Sequence, residues 1–106
     1  MSEDERQIAL HRAIAHFNDP RSRDAYFDLY AEEAAFHGYP PGAERLEGAK
    51  LFYREAWRAN PDWLLSVDGI EDLGDRLRVR FTYGPHQGVT TLRFEGAKVV
   101  ERWQGQ

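Results

Sequence analysis

Apolar residues recur every three or four positions as far as Trp57 and at alternate positions from Trp63 onward, and the switch falls at Asn60-Pro61-Asp62. A residue before proline avoids the helical region, so a helix has to end at Asn60. The period then changes from that of an amphipathic helix to that of a half-buried strand. A chain patterned this way gathers helices ahead of an antiparallel meander, an α+β arrangement with the helices on one face of a curved sheet. At 106 residues it reads as one domain, 1–106, with room for one core.

Before the switch the pattern predicts three N-terminal helices. Glu3-Asp4-Glu5 places negative charge in a first turn, where the helix dipole favours it, and Ile8, Leu10, Ala13, Ile14 and Phe17 form one apolar face. Asn18-Asp19-Pro20 stops that helix. A second presents Ala25, Tyr26, Leu29 and Tyr30 and should stop near Glu32-Glu33, where acids oppose the dipole. Ala34 to His37 reads as a short extended piece, broken by the rigid loop Gly38-Tyr39-Pro40-Pro41-Gly42. The third helix runs from Leu46 to Ala59, apolar on more than one side.

After the switch, four strands are expected. Trp63, Leu65 and Val67 begin the first, and Asp72-Leu73-Gly74-Asp75 is a turn. Leu77, Val79, Phe81 and Tyr83 then alternate with Arg76, Arg78, Arg80 and Thr82, the cleanest period of two in the chain. Gly84 to Gly88 reads as a turn with His86 exposed in it, Val89 to Glu95 as a strand, Glu95-Gly96-Ala97 as a hairpin, and Lys98 to Trp103 as the last strand.

Composition excludes several classes of function. The net charge is -4 and the arginines are interleaved with acids or apolar residues, so nucleic acid is not the expected partner. No cysteine rules out a disulfide framework or a thiolate metal site. His11 and His16 stand five apart, off the spacing of a helical ligand pair, so no metal and no cofactor are expected. Neither a phosphate loop nor a nucleophile elbow is present. No apolar run approaches a membrane span and the N-terminus has no apolar leader, so a cytoplasmic protein is the default expectation.

The order of the pieces carries a resemblance. His37-Gly38-Tyr39-Pro40-Pro41-Gly42, Gly48 with Phe52-Tyr53, Pro61-Asp62, and the ending Gly96 to Trp103 follow one another as in SnoaL-like proteins of the NTF2-like superfamily. The chain resembles that family over nearly its whole length. The resemblance implies a cone, with a bent sheet wrapped round the helices and a pocket at one end. It also implies a homodimer through the outer sheet face; the Arg76-Arg78-Arg80 stripe is too charged for a dry one. Relatives include polyketide cyclases and ketosteroid isomerases. Two departures matter: threonine stands in Val89-Thr90-Thr91-Leu92 where the cyclases have an acid/base aspartate, and Phe36-His37-Gly38 has no carboxylate where the isomerases carry one.

Cofactor-free proton transfer beside a carbonyl needs a base in an apolar cavity and a donor for the oxyanion. His37 is the candidate base, since a neutral imidazole is basic at neutral pH; equally, it is a side chain that holds the loop in shape. Tyr26, Tyr30, Tyr53 and Tyr83 are candidate donors or core tyrosines, and Tyr30 is the one assigned to chemistry. Phe36, Tyr39, Phe52, Trp57, Trp63 and Trp103 are expected, with the tyrosines, to wall the pocket. Glu101 shares a parity with Val99 and Trp103, which puts a carboxylate on the apolar face as a catalytic acid or as a partner of Arg80 or Arg93. Two functions therefore stay open: a cyclase- or isomerase-type enzyme on a small hydrophobic or carbonyl compound, or a non-catalytic ligand-binding or dimerisation module.

Overall fold

Helix α1, Glu5–Phe17, starts where Asp4 turns its carboxylate onto the Arg6 amide, one of the orphan donors of a first turn. The computed structural model describes residues 4–105, so the expected dipole role of Glu3 lies outside the described residues. Asn18 ends α1 and binds both backbone groups of Leu65, donating from Nδ2 to its carbonyl at 2.8 Å and accepting its amide at 2.7 Å. One side chain thereby ties the first helix to the first residue of a strand far along the chain.

The second expected helix is a 3₁₀ segment, Arg23–Leu29, and the chain is already extended at Tyr30. Tyr26 with Leu29 and Phe27 with Tyr30 are spaced three apart, which suits three residues per turn, and all four are buried. Strand β1 is Tyr30–His37, so Glu32 and Glu33 sit exposed on a strand rather than at a helix end. Helix α2, Leu46–Ala59, follows. The helices are therefore not all N-terminal to the sheet: β1 lies between the second and third. No described helix is long and apolar enough to cross a membrane.

Strands β2 (Leu65–Asp72), β3 (Arg76–Tyr83), β4 (His86–Glu95) and β5 (Lys98–Gln104) form the expected meander, but the sheet has five strands in the order β1-β5-β4-β3-β2. The expected all-antiparallel sheet is in fact mixed, because β1 joins the far edge parallel to β5. That pairing joins residues more than sixty positions apart, and nothing in the pattern of β1 says which edge it takes. The β3–β4 turn is also tighter than expected. Gly84 adopts a φ of 57°, and a Cβ there would sit 2.4 Å from the Trp63 ring. Trp63 precedes β2 and caps this turn.

Two irregularities bend the meander, besides a third where β1 pairs with β5 between Tyr30 and Ala35. Register changes between Val67↔Phe81 and Gly69↔Arg80, leaving Asp68 as an extra residue, and again between Arg93↔Glu101 and Phe94↔Val99, leaving Val100 extra. An added residue on one strand sharpens the local twist and reverses which residues face inward beyond it. On β2 the inward set passes from Leu65 and Val67 to Ile70, all packed on the core.

Phe17 sits at the centre of that core, edge-to-face with Tyr26 at 5.1 Å, Trp57 at 5.3 Å, Tyr83 at 5.4 Å and Tyr53 at 6.0 Å. Tyr83 is half-buried, and each of the buried rings contributes about 2–3 kcal/mol by area alone. The N-terminal part of α2 lies on the Pro-Gly loop with no clearance, since a Cβ on Gly48 would sit 1.7 Å from the Gly42 carbonyl oxygen. Gly48→Ala should therefore destabilise the protein by about 2 kcal/mol or more, although the same exchange in an open helix adds about 1 kcal/mol. Urea denaturation reads the sign; a more stable variant would mean that the loop yields.

Candidate ligand-binding site

The Val100 bulge decides which side chains at the end of β5 face the core. Past it, Arg102 pairs with Leu92 on β4 and turns inward, while Glu101 pairs with Arg93 and Trp103 with Thr91 on the outer face. Arg102 is 8% exposed. Its Nε donates to Thr90 Oγ1 at 3.0 Å, Nη1 to the hydroxyls of Tyr26 at 2.9 Å and Tyr30 at 2.6 Å, and Nη2 to Gln104 Oε1 at 3.1 Å. Thr90 spends its own hydrogen on the Trp103 carbonyl, so its oxygen meets Arg102 as an acceptor. A guanidinium has five N–H donors, and these contacts use four. The unspent one is on Nη2. Among the described residues no carboxylate pairs with Arg102.

Above Arg102 lies a cavity of about 190 Å³ lined by Phe17, Tyr26, Tyr39, Pro40, Phe52, Tyr53, Ala56, Leu65, Phe81, Tyr83 and Gln104. The guanidinium carbon lies 5.7 Å from the Tyr39 ring and 5.9 Å from the Tyr53 ring, within cation–π range. The Tyr39 and Tyr53 hydroxyls share a hydrogen bond of 2.5 Å, as do those of Tyr26 and Tyr30. The Tyr83 hydroxyl is buried with no partner among the described residues. Phe52, 40% exposed, and Pro40 stand toward solvent. Burial pushes the phenols of Tyr26, Tyr30, Tyr39 and Tyr53 up, against the pull of the Arg102 charge. They are neutral donors and acceptors, not bases.

Of the residues expected at the site, Tyr26, Tyr39, Phe52, Tyr53 and Tyr83 meet around this cavity, and Tyr30 reaches Arg102 from behind. Phe36 is buried beneath Tyr30 and Tyr39, and Trp57 is packed on Phe17 and Phe27. Neither lines the cavity. Trp63 lies at the β3–β4 turn against Tyr83 and His86.

His37, Glu101 and Trp103 form a separate group on the outer face. His37 is an exposed side chain stacked on Trp103 at 5.3 Å, and its Nε2 donates to Glu101 Oε2 at 2.8 Å. Glu101 also accepts from Arg93 Nε at 2.9 Å, and Arg76 lies 4.5 Å over the Trp103 ring. The expectation that Glu101 occupies the apolar face fails because strict alternation does not survive the bulge. Alternation hid Arg102 for the same reason. The one sequence signal for it was its place between Glu101 and Trp103 in the closing strand. Among the described residues no group of three or more His, Cys, Asp or Glu side chains is placed to hold a metal ion.

No family model and no curated protein matches this sequence. Solved structures do. A candidate polyketide cyclase from Bacillus cereus ATCC 10987 superposes with a TM-score of 0.79 over 94% of this chain and 72% of its own, at 21% identity. The chain has the SnoaL-like fold. A SnoaL-like protein of unknown function from Burkholderia thailandensis E264 matches at 0.76 over 98% of this chain and 96% of its own, at 19% identity. TerC, co-crystallised with polyporic acid, matches at 0.75 over 95% of this chain and 90% of its own, at 15% identity. At such identities the likeness is one of fold, and function has to be argued from the cavity.

The outer cluster has a pH signature. His37 first and Arg93 second hold the Glu101 carboxyl below its ordinary 4.5, with burial opposing. A depressed carboxyl adds stability that is present above its unfolded value and lost as pH falls through its folded one. Between about pH 5 and 3 the wild type should lose more stability than Glu101→Gln; parallel losses in acid denaturation would remove the linkage.

Proposed function

We propose that this protein is a small-molecule-binding domain that takes a planar carbonyl or otherwise oxygenated compound into the aromatic cavity, with an oxygen directed at Arg102. The observation that carries this is the unspent Nη2 hydrogen of a buried arginine at the floor of a pocket walled by rings. Most ligand pockets have this make-up, apolar walls with a few converging polar groups. The volume argues for a small ligand, since an apolar cavity of ~150 Å³ holds benzene; one ring with a substituent fits.

The donors are of the kind that stabilise an enolate, which keeps isomerase- or cyclase-type chemistry in view. Such chemistry also needs a base. No imidazole or carboxylate lines the cavity among the described residues, and His37, the candidate from the sequence, is engaged by Glu101 on the outer face. This favours binding without turnover. If a substrate is found, His37→Ala should leave its rate unchanged.

Ala56 lines the cavity from α2, so Ala56→Trp should fill it. Aromatic carbonyl fragments that shift the wild-type amide spectrum should cease to bind the variant, with the melting temperature held or raised. Fragments that bind both proteins alike would place the site elsewhere.

The same reading includes a homodimer through the outer face, where Trp103 lies between His37 and Arg76. With so much charge around it, that contact should weaken with salt. Light scattering should give a dimer at low ionic strength and a smaller mass in high salt; a monomer at high protein concentration would exclude it.

A further inference from the structure

We infer that the cavity selects its ligand by charge: it takes a small planar monoanion, such as an aromatic carboxylate or an enolate, whose oxygen supplies the counterion that the fold withholds from Arg102. This rests on the cavity being a binding site and goes beyond it by naming the ligand's charge and the residues that set it.

A buried guanidinium is ordinarily paired, because an isolated charge in a low-dielectric interior is expensive. Arg102 is more than nine-tenths buried, and each of its four hydrogen-bond partners is neutral: Tyr26, Tyr30, Thr90 and Gln104. The tyrosines remain phenols, since burial holds their ionisation well above the ordinary range. Glu101, the adjacent acid in the chain, faces the other side of the sheet with its oxygens taken by Arg93 and His37. Two positions could have held a carboxylate against the guanidinium, at its Nε and at its Nη2. Threonine and glutamine stand there instead. The positive charge therefore has solvation but no counterion, and its remaining N–H lies on Nη2, the nitrogen that Gln104 accepts from at the cavity wall. A ligand oxyanion there would make a charge-assisted bond, shorter and roughly twice as strong as a neutral one. The rings of Tyr39 and Tyr53 beside the guanidinium would keep water from screening it.

Benzoate and benzamide test this, having the same ring, nearly the same volume and different charge. Titrated into wild-type protein and followed by amide shifts, benzoate should bind at least about tenfold tighter than benzamide. Gln104→Glu, an isosteric exchange, should place a carboxylate on Nη2 and erase that preference while benzamide still binds. Thr90→Asp should do the same from the Nε side, and circular dichroism checks that both variants are folded. Equal binding of the two probes by wild type would overturn the inference and leave the cavity as a neutral-ligand site. A benzoate preference that survives both variants would also overturn it. So would benzoate binding that survives Ala56→Trp and vanishes in high salt, which would assign it to surface arginines. If neither probe perturbs Phe52 or Ala56, the binding reading itself falls together with the inference.

Discussion

One additional residue in β5 governs the interior of this protein. Val100 has no partner on β4, and that unmatched position turns Arg102 toward the core and Glu101 to the outer face of the sheet. Without the bulge the strand would alternate regularly, carrying a glutamate into the core and an arginine to solvent. The sheet would also lose part of its local twist. Local register, local twist and the polar chemistry of the cavity therefore follow from the same irregularity.

The buried guanidinium in turn organises the polar part of an otherwise apolar core. Tyr26 comes from the 3₁₀ segment, Tyr30 from β1, Thr90 from β4 and Gln104 from β5, so four elements converge on one side chain. The rings of those tyrosines continue into the aromatic layer around Phe17, which joins α1 to α2 and β3. A polar network of this kind is sustained only when nearly every donor is satisfied. Here one N–H on Nη2 and one hydroxyl hydrogen of the Tyr26–Tyr30 pair are not, and the first belongs to the residue at the floor of the cavity.

The two faces of the sheet do different work. Outside, Glu101 bridges His37 and Arg93, and Trp103 is held between an imidazole and a guanidinium; the charges there are matched. Inside, the one buried charge among the described residues, Arg102, is unmatched. Thr90 joins the two faces, accepting from Arg102 while donating to the backbone of Trp103. Thr90 thus occupies a position where a carboxylate would have neutralised Arg102.

Much of the architecture was legible in the residues. The helix from Leu46 to Ala59, its stop at Asn60-Pro61 and the hairpins at Gly74 and Gly96 follow from period, proline and glycine, which act over a few neighbouring residues. So does the set of rings, five of which meet around the cavity. What alternation could not supply was the parallel pairing of β1 with β5, the 3₁₀ form of Arg23–Leu29, and the inward face of Arg102. These depend on contacts between segments distant in sequence. The sequence by itself determined the first and last helices, the strands of the meander and which residues are aromatic enough to enclose a pocket. Only the tertiary structure decided which charge that pocket encloses, because a bulge shifts the facing of every residue beyond it and leaves no mark in the period of the strand that carries it.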